Sequence, residues 1–270
     1  MRSRVLHPGA EPTARAEVKM TFGNDVFEIS AEVPAEGARP RHILPMLRDV
    51  AGEIIARAVA NSEAQGRPIS CKAGCGACCR QLVPLSQTEA HILRELVLDL
   101  PEARRREVLR RFAEAREKVL AAGMLDTLLE PKRLQGKSDG ESEAFHNAYF
   151  ALKLACPFLE DESCSIHPER PLICRQYLVT NPSEACDTPS AETISKLPLA
   201  ANADVAMTLA TGDPKSRFEW VPLVVALEWS ELHPEDQEGV PGTQLLDKTF
   251  RALQKTVRRA PAKKTKKGAR

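Results

Sequence analysis

The sequence predicts a mainly α-helical protein with a small N-terminal β-hairpin and an irregular, cysteine-rich metal-binding core. Apolar residues alternate between positions 18 and 33, whereas in most later segments they recur at intervals of three and four. All 8 cysteines fall into two dense groups, at residues 71–79 and 156–186. Cysteines that are clustered in this way, with none elsewhere in the chain, favour a fold built around metal.

The hairpin prediction comes from two segments with period 2. The first places Val18, Met20 and Phe22 on one face, and the second does the same with Phe27, Ile29, Ala31 and Val33. Between them lies Gly23-Asn24-Asp25, a sequence that favours a tight turn.

Helices are predicted for most of the remaining chain. Periodicity indicates one from about Leu44 to Asn61, and Ser86-Gln87-Thr88-Glu89 is a capping box that opens another to about Leu100. Further helices are expected at about 101–122, 143–155, 200–209, 223–232 and 244–258. The many arginines and glutamates of 101–122 are interpreted as a solvated, ion-paired face, with an anion-binding surface as the alternative. The polar segment 131–142 is predicted to be a mobile loop.

Charge and composition divide the chain into three parts. Residues 1–15 are expected to form a flexible arm, 16–257 a single globular domain with its metal-binding core at 65–190, and 258–270 a disordered basic tail. The tail has seven basic residues and no acid, so the net charge of +1 leaves about −6 for the rest. Aromatic residues make up only 4%, which argues against a stacking surface for single-stranded nucleic acid.

No apolar run is long enough for a signal-peptide core or a membrane helix, so a cytoplasmic protein without membrane contact is expected. A reducing compartment disfavours structural disulfides and favours metal ligation or redox chemistry. A disulfide framework is the weaker alternative for the even number of cysteines.

The candidate metal ligands are the eight thiols: Cys71, Cys75, Cys78, Cys79, Cys156, Cys164, Cys174 and Cys186. The first group is predicted to be a glycine-rich turn whose last three cysteines enter a helix, where the positive helix end would lower their pKa. The adjacent pair Cys78-Cys79 is awkward for one tetrahedral zinc ion and favours two metals or a multinuclear cluster.

The second group has spacings too wide for a zinc-finger knuckle, so its ligands are expected to join a site that the first group begins. Cys75 and Cys174 should then lie within about 15 Å of each other, several times a metal-bridged sulfur separation. The neighbouring arginines Arg80, Arg170 and Arg175 could offset thiolate charge or form ordinary surface ion pairs. His167 is a further candidate ligand, although eight thiols make it unnecessary.

These motifs resemble the YkgJ-type cysteine-cluster family, also described as the CxxCxxCC zinc- or iron-chelating domain. CKAGCGACCR matches the family's compact motif, and CPFL, CSIHPERPLICRQY and a final cysteine match the rest, over about residues 65–190. The chain departs from the pattern in three places: three residues separate Cys71 from Cys75, His167 replaces a tyrosine, and Tyr177 replaces a phenylalanine. The longer first gap makes Cys71 the least certain ligand.

The resemblance implies an iron–sulfur cluster or zinc as the cofactor and leaves the activity open. Bacterial flagellin lysine methylases are similar in cysteine pattern, but no GxGxxG fingerprint for an S-adenosylmethionine site is present. The leading hypothesis is a metal- or cluster-binding protein with redox or modification chemistry. The alternatives are a structural zinc module whose tail, 258–270, contacts nucleic acid or an acidic protein, and a peptide- or protein-modifying enzyme. No catalytic residue is identified, and whether the protein is an enzyme stays open.

Overall fold

The computed structural model describes residues 12–23, 25–130, 132–135, 138–187, 193–211, 220–235 and 238–257. The helices are α1 (Leu44–Ala64), α2 (Gln87–Asp99), α3 (Glu102–Ala121), α4 (Leu125–Leu129), α5 (Lys132–Gln135), α6 (Asp139–Ala151), α7 (Leu172–Gln176), α8 (Ala203–Thr211), α9 (Ala226–Leu232) and α10 (Gly242–Thr256). The strands are β1 (Thr13–Phe22), β2 (Asp25–Pro34), β3 (Pro84–Ser86), β4 (Leu159–Glu160), β5 (Ser163–Cys164) and β6 (Trp220–Pro222). Short 3₁₀ turns occur at Pro40–Ile43, Ala77–Arg80, His167–Glu169, Ser183–Asp187 and Leu223–Val225. The predicted fold class, mainly helical with an N-terminal hairpin, is confirmed.

The hairpin forms with the register that its alternation requires. β1 and β2 pair antiparallel from Thr13↔Pro34 to Phe22↔Asp25. Gly23 has φ +64°, a left-handed conformation that glycine adopts without a steric cost. The apolar face is buried, and Phe22 and Phe27 pack at 4.8 Å between ring centroids. The other face is polar and carries the Lys19–Glu28 and Arg15–Glu32 ion pairs.

One apolar cluster, called here the hairpin core, joins the hairpin to α1, α8 and α10. Leu47, Met207 and Leu253 supply fully buried side chains from the three helices. Gly242 begins α10 directly against the end of β2, where its N–H donates to the Ala35 carbonyl at 2.8 Å. A Cβ at Gly242 would overlap the Pro34 carbonyl oxygen, so the close approach requires glycine.

Two smaller apolar clusters support the remainder of the described chain. One packs α2 and α3 against α9 and the β3–β6 pair, and includes Val108, Phe158 and Trp229. The other joins the end of α3 to α4, α6 and the Leu223–Val225 turn. The exposed side of α3 is ion-paired along its length, with pairs such as Arg106–Glu102 and Arg110–Glu107, so the solvated-face interpretation is confirmed.

Most helix predictions are confirmed to within a few residues, and one loop prediction is wrong. Within 131–142 the structure has α5 and the beginning of α6, because Ser138 and Glu141 form a capping box that the polar composition concealed. α6 accordingly starts at Asp139 and ends at Ala151, earlier than the predicted 143–155 at both ends. β1 begins at Thr13, inside the segment assigned to the arm. Residues 1–11 of that arm and the whole tail 258–270 lie outside the described residues. In the described part of the chain, every helix is too short or too polar to span a membrane.

Candidate metal centre

The first cysteine group is a tight backbone turn rather than a helix. Ala77–Arg80 forms a single 3₁₀ turn that begins after Gly76, and Cys78 and Cys79 both lie on it. The Cys75 N–H donates to the Lys72 carbonyl at 3.2 Å, and the Cys79 N–H to the Gly76 carbonyl at 3.0 Å. Two glycines in six residues weaken a helix here, and a 3₁₀ turn of four residues lacks the aligned peptide groups of a longer helix. The glycine-rich turn is confirmed, and the expected longer helix is wrong.

The second cysteine group supplies its thiols from four different short elements. Cys156 follows α6, Cys164 is on β5, Cys174 is on α7 and Cys186 is on the Ser183–Asp187 turn. β4 and β5 are joined by Asp161-Glu162, whose φ angles of 46° and 56° are left-handed. Such angles are uncommon for residues other than glycine, and they bend this hairpin back sharply toward the first group.

Several direct contacts hold the two groups together. The Cys156 N–H donates to the Cys79 carbonyl at 2.7 Å. Arg80 and Glu162 form a two-pronged ion pair with N–O distances of 2.6 and 2.9 Å. Gly76 lets the segments approach, because a Cβ there would lie 2.7 Å from Leu159 Cδ1.

A second junction fixes the other end of the first group. The Ser70 N–H donates to the Val179 carbonyl at 3.0 Å, and the Val179 N–H donates to the Cys71 Sγ at 3.4 Å. The two groups, distant in sequence, are therefore neighbours in space along their whole length.

The thiols act on one another through their charges, and Cys78 takes part on both sides. The pKa of Cys186 is raised by burial and by Cys71, Cys75 and Cys78. The pKa of Cys174 is raised well above its usual range by burial, by Cys156, by Cys78 and by Cys164. Cys71, Cys75 and Cys186 therefore influence one another, as do Cys156, Cys164 and Cys174, and Cys78 influences members of both sets.

Burial favours the protonated form of these thiols. It raises the pKa of Cys156 to about 12, and a hydrogen bond that the Cys78 thiol donates to Cys79, together with burial, raises the pKa of Cys78. The predicted lowering of thiol pKa by a helix end is therefore wrong for Cys78, because loss of water and neighbouring thiols act in the opposite direction.

The arginines beside the cysteines have different partners. Arg80 is ion-paired with Glu162, as the surface interpretation expected. Arg170 instead favours the thiolate forms of Cys78 and Cys164 through its charge. Arg175 donates to the backbone carbonyls of Arg170 and Pro168. Among the residues that the structure describes, neither Arg170 nor Arg175 forms a salt bridge, and it is the charge of Arg170 that acts on thiols.

His167 is exposed on its own 3₁₀ turn, apart from the thiols that interact with one another. The positive charges of Arg170 and Arg175, together with burial, lower the pKa of its imidazole. Tyr177, the other departure from the family motif, accepts a hydrogen bond from Gln81 Nε2 at 3.3 Å. The charges of Cys186, Cys78 and Cys71 also contribute to the raised pKa of Tyr177, which places it beside the centre.

An open cleft of about 390 Å³ leads to one side of the centre. Cys75 and Cys186 line it, together with Arg80, Lys153 and Glu162. The Lys153 ammonium lies 3.8 Å from the centroid of the Phe150 ring and donates to the Asp187 carbonyl at 3.0 Å. Solvent and small solutes can therefore reach Cys75, which is partly exposed, whereas Cys186 is only 4% exposed.

The donor chemistry fits zinc or iron, which thiolates bind well. All eight cysteines are free thiols. Within the described ranges, however, no three His, Cys, Asp or Glu side chains converge closely enough to hold an ion without moving. Coordination would therefore require the thiol side chains to rotate toward a common point from the backbone positions given above.

Comparison with protein families gives one match. Residues 70–191 match the family model described as "CxxCxxCC: Putative zinc- or iron-chelating domain". The match begins one residue before Cys71 and ends five residues after Cys186, so it contains every cysteine of the chain. Neither a curated protein nor a solved structure matches the sequence.

Proposed function

Since residues 70–191 match the family model of a CxxCxxCC zinc- or iron-chelating domain, we propose that the chain binds zinc or an iron–sulfur cluster through its cysteine thiolates. The proposed ligands come from the eight thiols described above. The reducing cytoplasm is the proposed location, because free thiols persist there.

One observation carries this proposal: the chain's two cysteine groups are adjacent, with Cys78 close enough to influence thiols of both. Its charge contributes to the raised pKa of Cys71 and Cys186 on one side and of Cys156 and Cys174 on the other. The 2.7 Å hydrogen bond from Cys156 to Cys79 supports the same arrangement through the backbone alone.

A thiol must lose its proton when it binds a metal, and burial raises the cost of forming the thiolate. A bound metal supplies positive charge, which favours thiolates where burial alone disfavours them. Arg170 would add a fixed positive charge beside Cys78 and Cys164, and the apolar side chains around Phe158 exclude water. The bound metal and Arg170 would therefore be sufficient to offset the negative charge of the thiolates.

Zinc and an iron–sulfur cluster would use the thiols differently. Two closed four-sulfur zinc sites require all eight cysteines, whereas one cluster leaves some thiols spare. The pair Cys78-Cys79 on one 3₁₀ turn favours the cluster, because side chains one residue apart point in different directions. A cluster would permit redox chemistry, and zinc would give a redox-silent structural centre.

The test is metal analysis of protein purified without oxygen, together with its visible absorption. A cluster gives a brown protein that bleaches on reduction, and zinc gives a colourless protein. The variants Cys156→Ser, Cys164→Ser and Cys174→Ser should lower metal content under either metal. Ser163→Ala is the matched control, because Ser163 is exposed and directly precedes Cys164.

Full metal content in a Cys75→Ser, Cys174→Ser double variant, or no bound zinc or iron in the wild type, would overturn the proposal. The remaining single variants then distinguish the two metals. Loss of metal in all eight Cys→Ser variants favours two zinc sites, and unchanged content in some of them favours a single cluster.

A further inference from the structure

A second cavity, separate from the cysteine cleft, opens between β3, β6, α2, α6 and α8. Its volume is about 350 Å³, which is within the usual range of small-molecule sites. Its lining is mainly apolar, with Leu85, Val205 and Trp220 among the walls. None of the cysteines lines it.

Two carboxyl groups from different helices enter this cavity. Glu89 is 5% exposed; its Oε1 accepts from the Leu172 N–H at 2.8 Å and its Oε2 from the Ser86 hydroxyl at 2.8 Å. Asp204 comes from the first turn of α8, and its backbone N–H donates to Gln176 Oε1 at 3.0 Å. The hydrogen bonds of Glu89 fix its carboxyl group, and the bond to Gln176 fixes the backbone position from which the Asp204 side chain extends.

Within the described ranges, the two carboxyl groups of the cavity have no cationic side chain as a partner. In the part of the chain that the structure describes, no basic side chain forms a salt bridge with Asp204. Among the described residues that line the cavity there is no lysine or arginine, and His146 is the one imidazole. His146 is exposed at the rim, where its Nδ1 lies 2.6 Å from the Ser142 carbonyl oxygen. Because apolar walls reduce screening, the two carboxyl groups attract a cation more strongly there than at an open surface.

We propose that this cavity binds a small organic cation, with its charged nitrogen group between Glu89 and Asp204 and a flat apolar body against Trp220. A planar nitrogen cation can donate to two carboxylates at once, as guanidinium and amidinium groups do. The indole of Trp220 offers a face for the apolar body and an additional attraction for positive charge. The volume suits one such molecule rather than a folded partner.

Benzamidine is a suitable probe, because it joins an amidinium to a phenyl ring. Titration of the purified metal-loaded protein, followed by calorimetry and by NMR of the Trp220 indole N–H, should show saturable binding. Benzamide and benzoate have nearly the same shape without the positive charge, and each should bind at least about tenfold more weakly. This comparison leaves the protein unchanged, so a folding defect in a variant cannot affect it.

Asp204→Asn should weaken benzamidine binding about tenfold or more, since the variant removes a charged acceptor. Asp99→Asn is the control, because it removes the same charge from the exposed C-terminal end of α2 and should leave binding unchanged. No benzamidine binding, equal binding of benzamide, or unchanged binding in Asp204→Asn would overturn the proposal. Metal content, measured on the same samples, reports separately on the thiol centre, so either proposal can fail without the other.

Discussion

Two regions of the molecule differ in the secondary structure around their buried side chains. One is the hairpin core, and the other is the cysteine region, defined here as residues 70–79 and 156–187. The hairpin core lies between two ten-residue strands and helices of 9 to 21 residues, and its buried side chains are almost all apolar. The cysteine region has two-residue strands, single 3₁₀ turns and a five-residue helix around its thiols. Apolar burial is sufficient to stabilise the first region, whereas the second gathers groups whose mutual charges oppose one another unless a cation binds.

Removal of the metal is expected to have the largest effect and to be confined to the cysteine region. Structural zinc contributes about 10 kcal/mol or more in small zinc-finger peptides, so a chelated protein should lose order around its thiols. Hydrogen exchange followed by mass spectrometry should show lost protection at residues 70–79 and 156–187, with α1 unchanged. Equal loss in α1 would contradict the comparison and indicate that the two regions unfold as one unit.

Truncation of a buried side chain in the hairpin core should have the opposite effect: it should lower the stability of the fold and leave the metal content unchanged. Phe27 is 1% exposed, packs against Phe22 with its ring tilted by 36° and has the Arg57 guanidinium 3.9 Å from its ring centroid. Phe27→Ala should lower the free energy of unfolding by about 3–5 kcal/mol, measured by urea denaturation, without changing metal content per folded protein.

Val26→Ala is the matched control, because Val26 is adjacent in the same strand but 53% exposed. Its effect should stay within about 0.5 kcal/mol. A large loss of metal in Phe27→Ala would show that the thiol centre depends on the hairpin.

A smaller effect is expected where the cysteine region joins α3. Glu160 on β4 pairs with both Arg104 and Arg111, at 2.5 Å for Arg111. Burial acts to raise the pKa of Glu160, but the two arginines outweigh it and lower the pKa below its usual range. The carboxylate therefore stabilises the fold above its unfolded pKa, and that stabilisation is lost as the pH falls through the lowered value.

Glu160→Gln should consequently lower the free energy of unfolding by roughly 0.5–1 kcal/mol at neutral pH and have a declining effect in acid. Thermal melts from pH 7 to pH 3 measure this difference. Glu114→Gln, which removes only an exposed pair with Arg110, should change stability by a few tenths of a kcal/mol. A Glu160→Gln effect that does not depend on pH would exclude the ion pairs as its cause.

The smallest change in the free energy of unfolding is expected for a substitution of Asp204, and this change should stabilise the protein rather than destabilise it. Burial raises the pKa of its carboxyl group, a hydrogen bond from the Val205 backbone opposes the rise, and Glu89 adds to it. When the pKa of an acid is higher in the folded than in the unfolded state, the protein loses stability as the pH rises from the unfolded-state pKa through the folded-state pKa. Asp204→Asn should therefore increase the free energy of unfolding slightly, within about 1 kcal/mol, above that window and not below it.

The Asp204→Asn comparison requires thermal melts at two pH values on either side of the window. Asp99→Asn again serves as the control, since Asp99 is exposed. Destabilisation by Asp204→Asn at the higher pH would show that Asp204 is held as a favourable carboxylate.

Local patterns in the sequence predict the regular elements well. The alternation that ends at Phe22 and resumes at Phe27 locates the hairpin, and the Ser86–Glu89 capping box locates the start of α2. Both signals lie within a few residues of the structure that they determine. The capping box at Ser138 and Glu141 is equally local, but the glycine and polar residues around it favour the prediction of a loop.

The sites are predicted less completely, because they depend on contacts between distant parts of the chain. Cysteine spacing identifies the thiols but not the pairing of Cys79 with Cys156, which comes from backbone geometry. Nothing local distinguishes Glu89 as more than a helix cap, although its second oxygen binds the Leu172 N–H 83 residues away. Asp204 and His146 likewise belong to no motif, and only the packing of their helices brings both to the lining of one cavity.

The hydrogen bond between Cys79 and Cys156 also bears on how the chain reaches its folded state. It joins residues 77 positions apart (156 minus 79), so it closes a long loop. The length-dependent part of the entropic cost is roughly 4 kcal/mol for such a loop, whereas the nine residues from Cys71 to Cys79 can meet at far lower cost. A metal captured first by the short segment would be held by few ligands until the helices between the two groups had formed. The order of ligand capture would then follow the order of folding, and the rate of the final step would report the assembly of α2, α3 and α6.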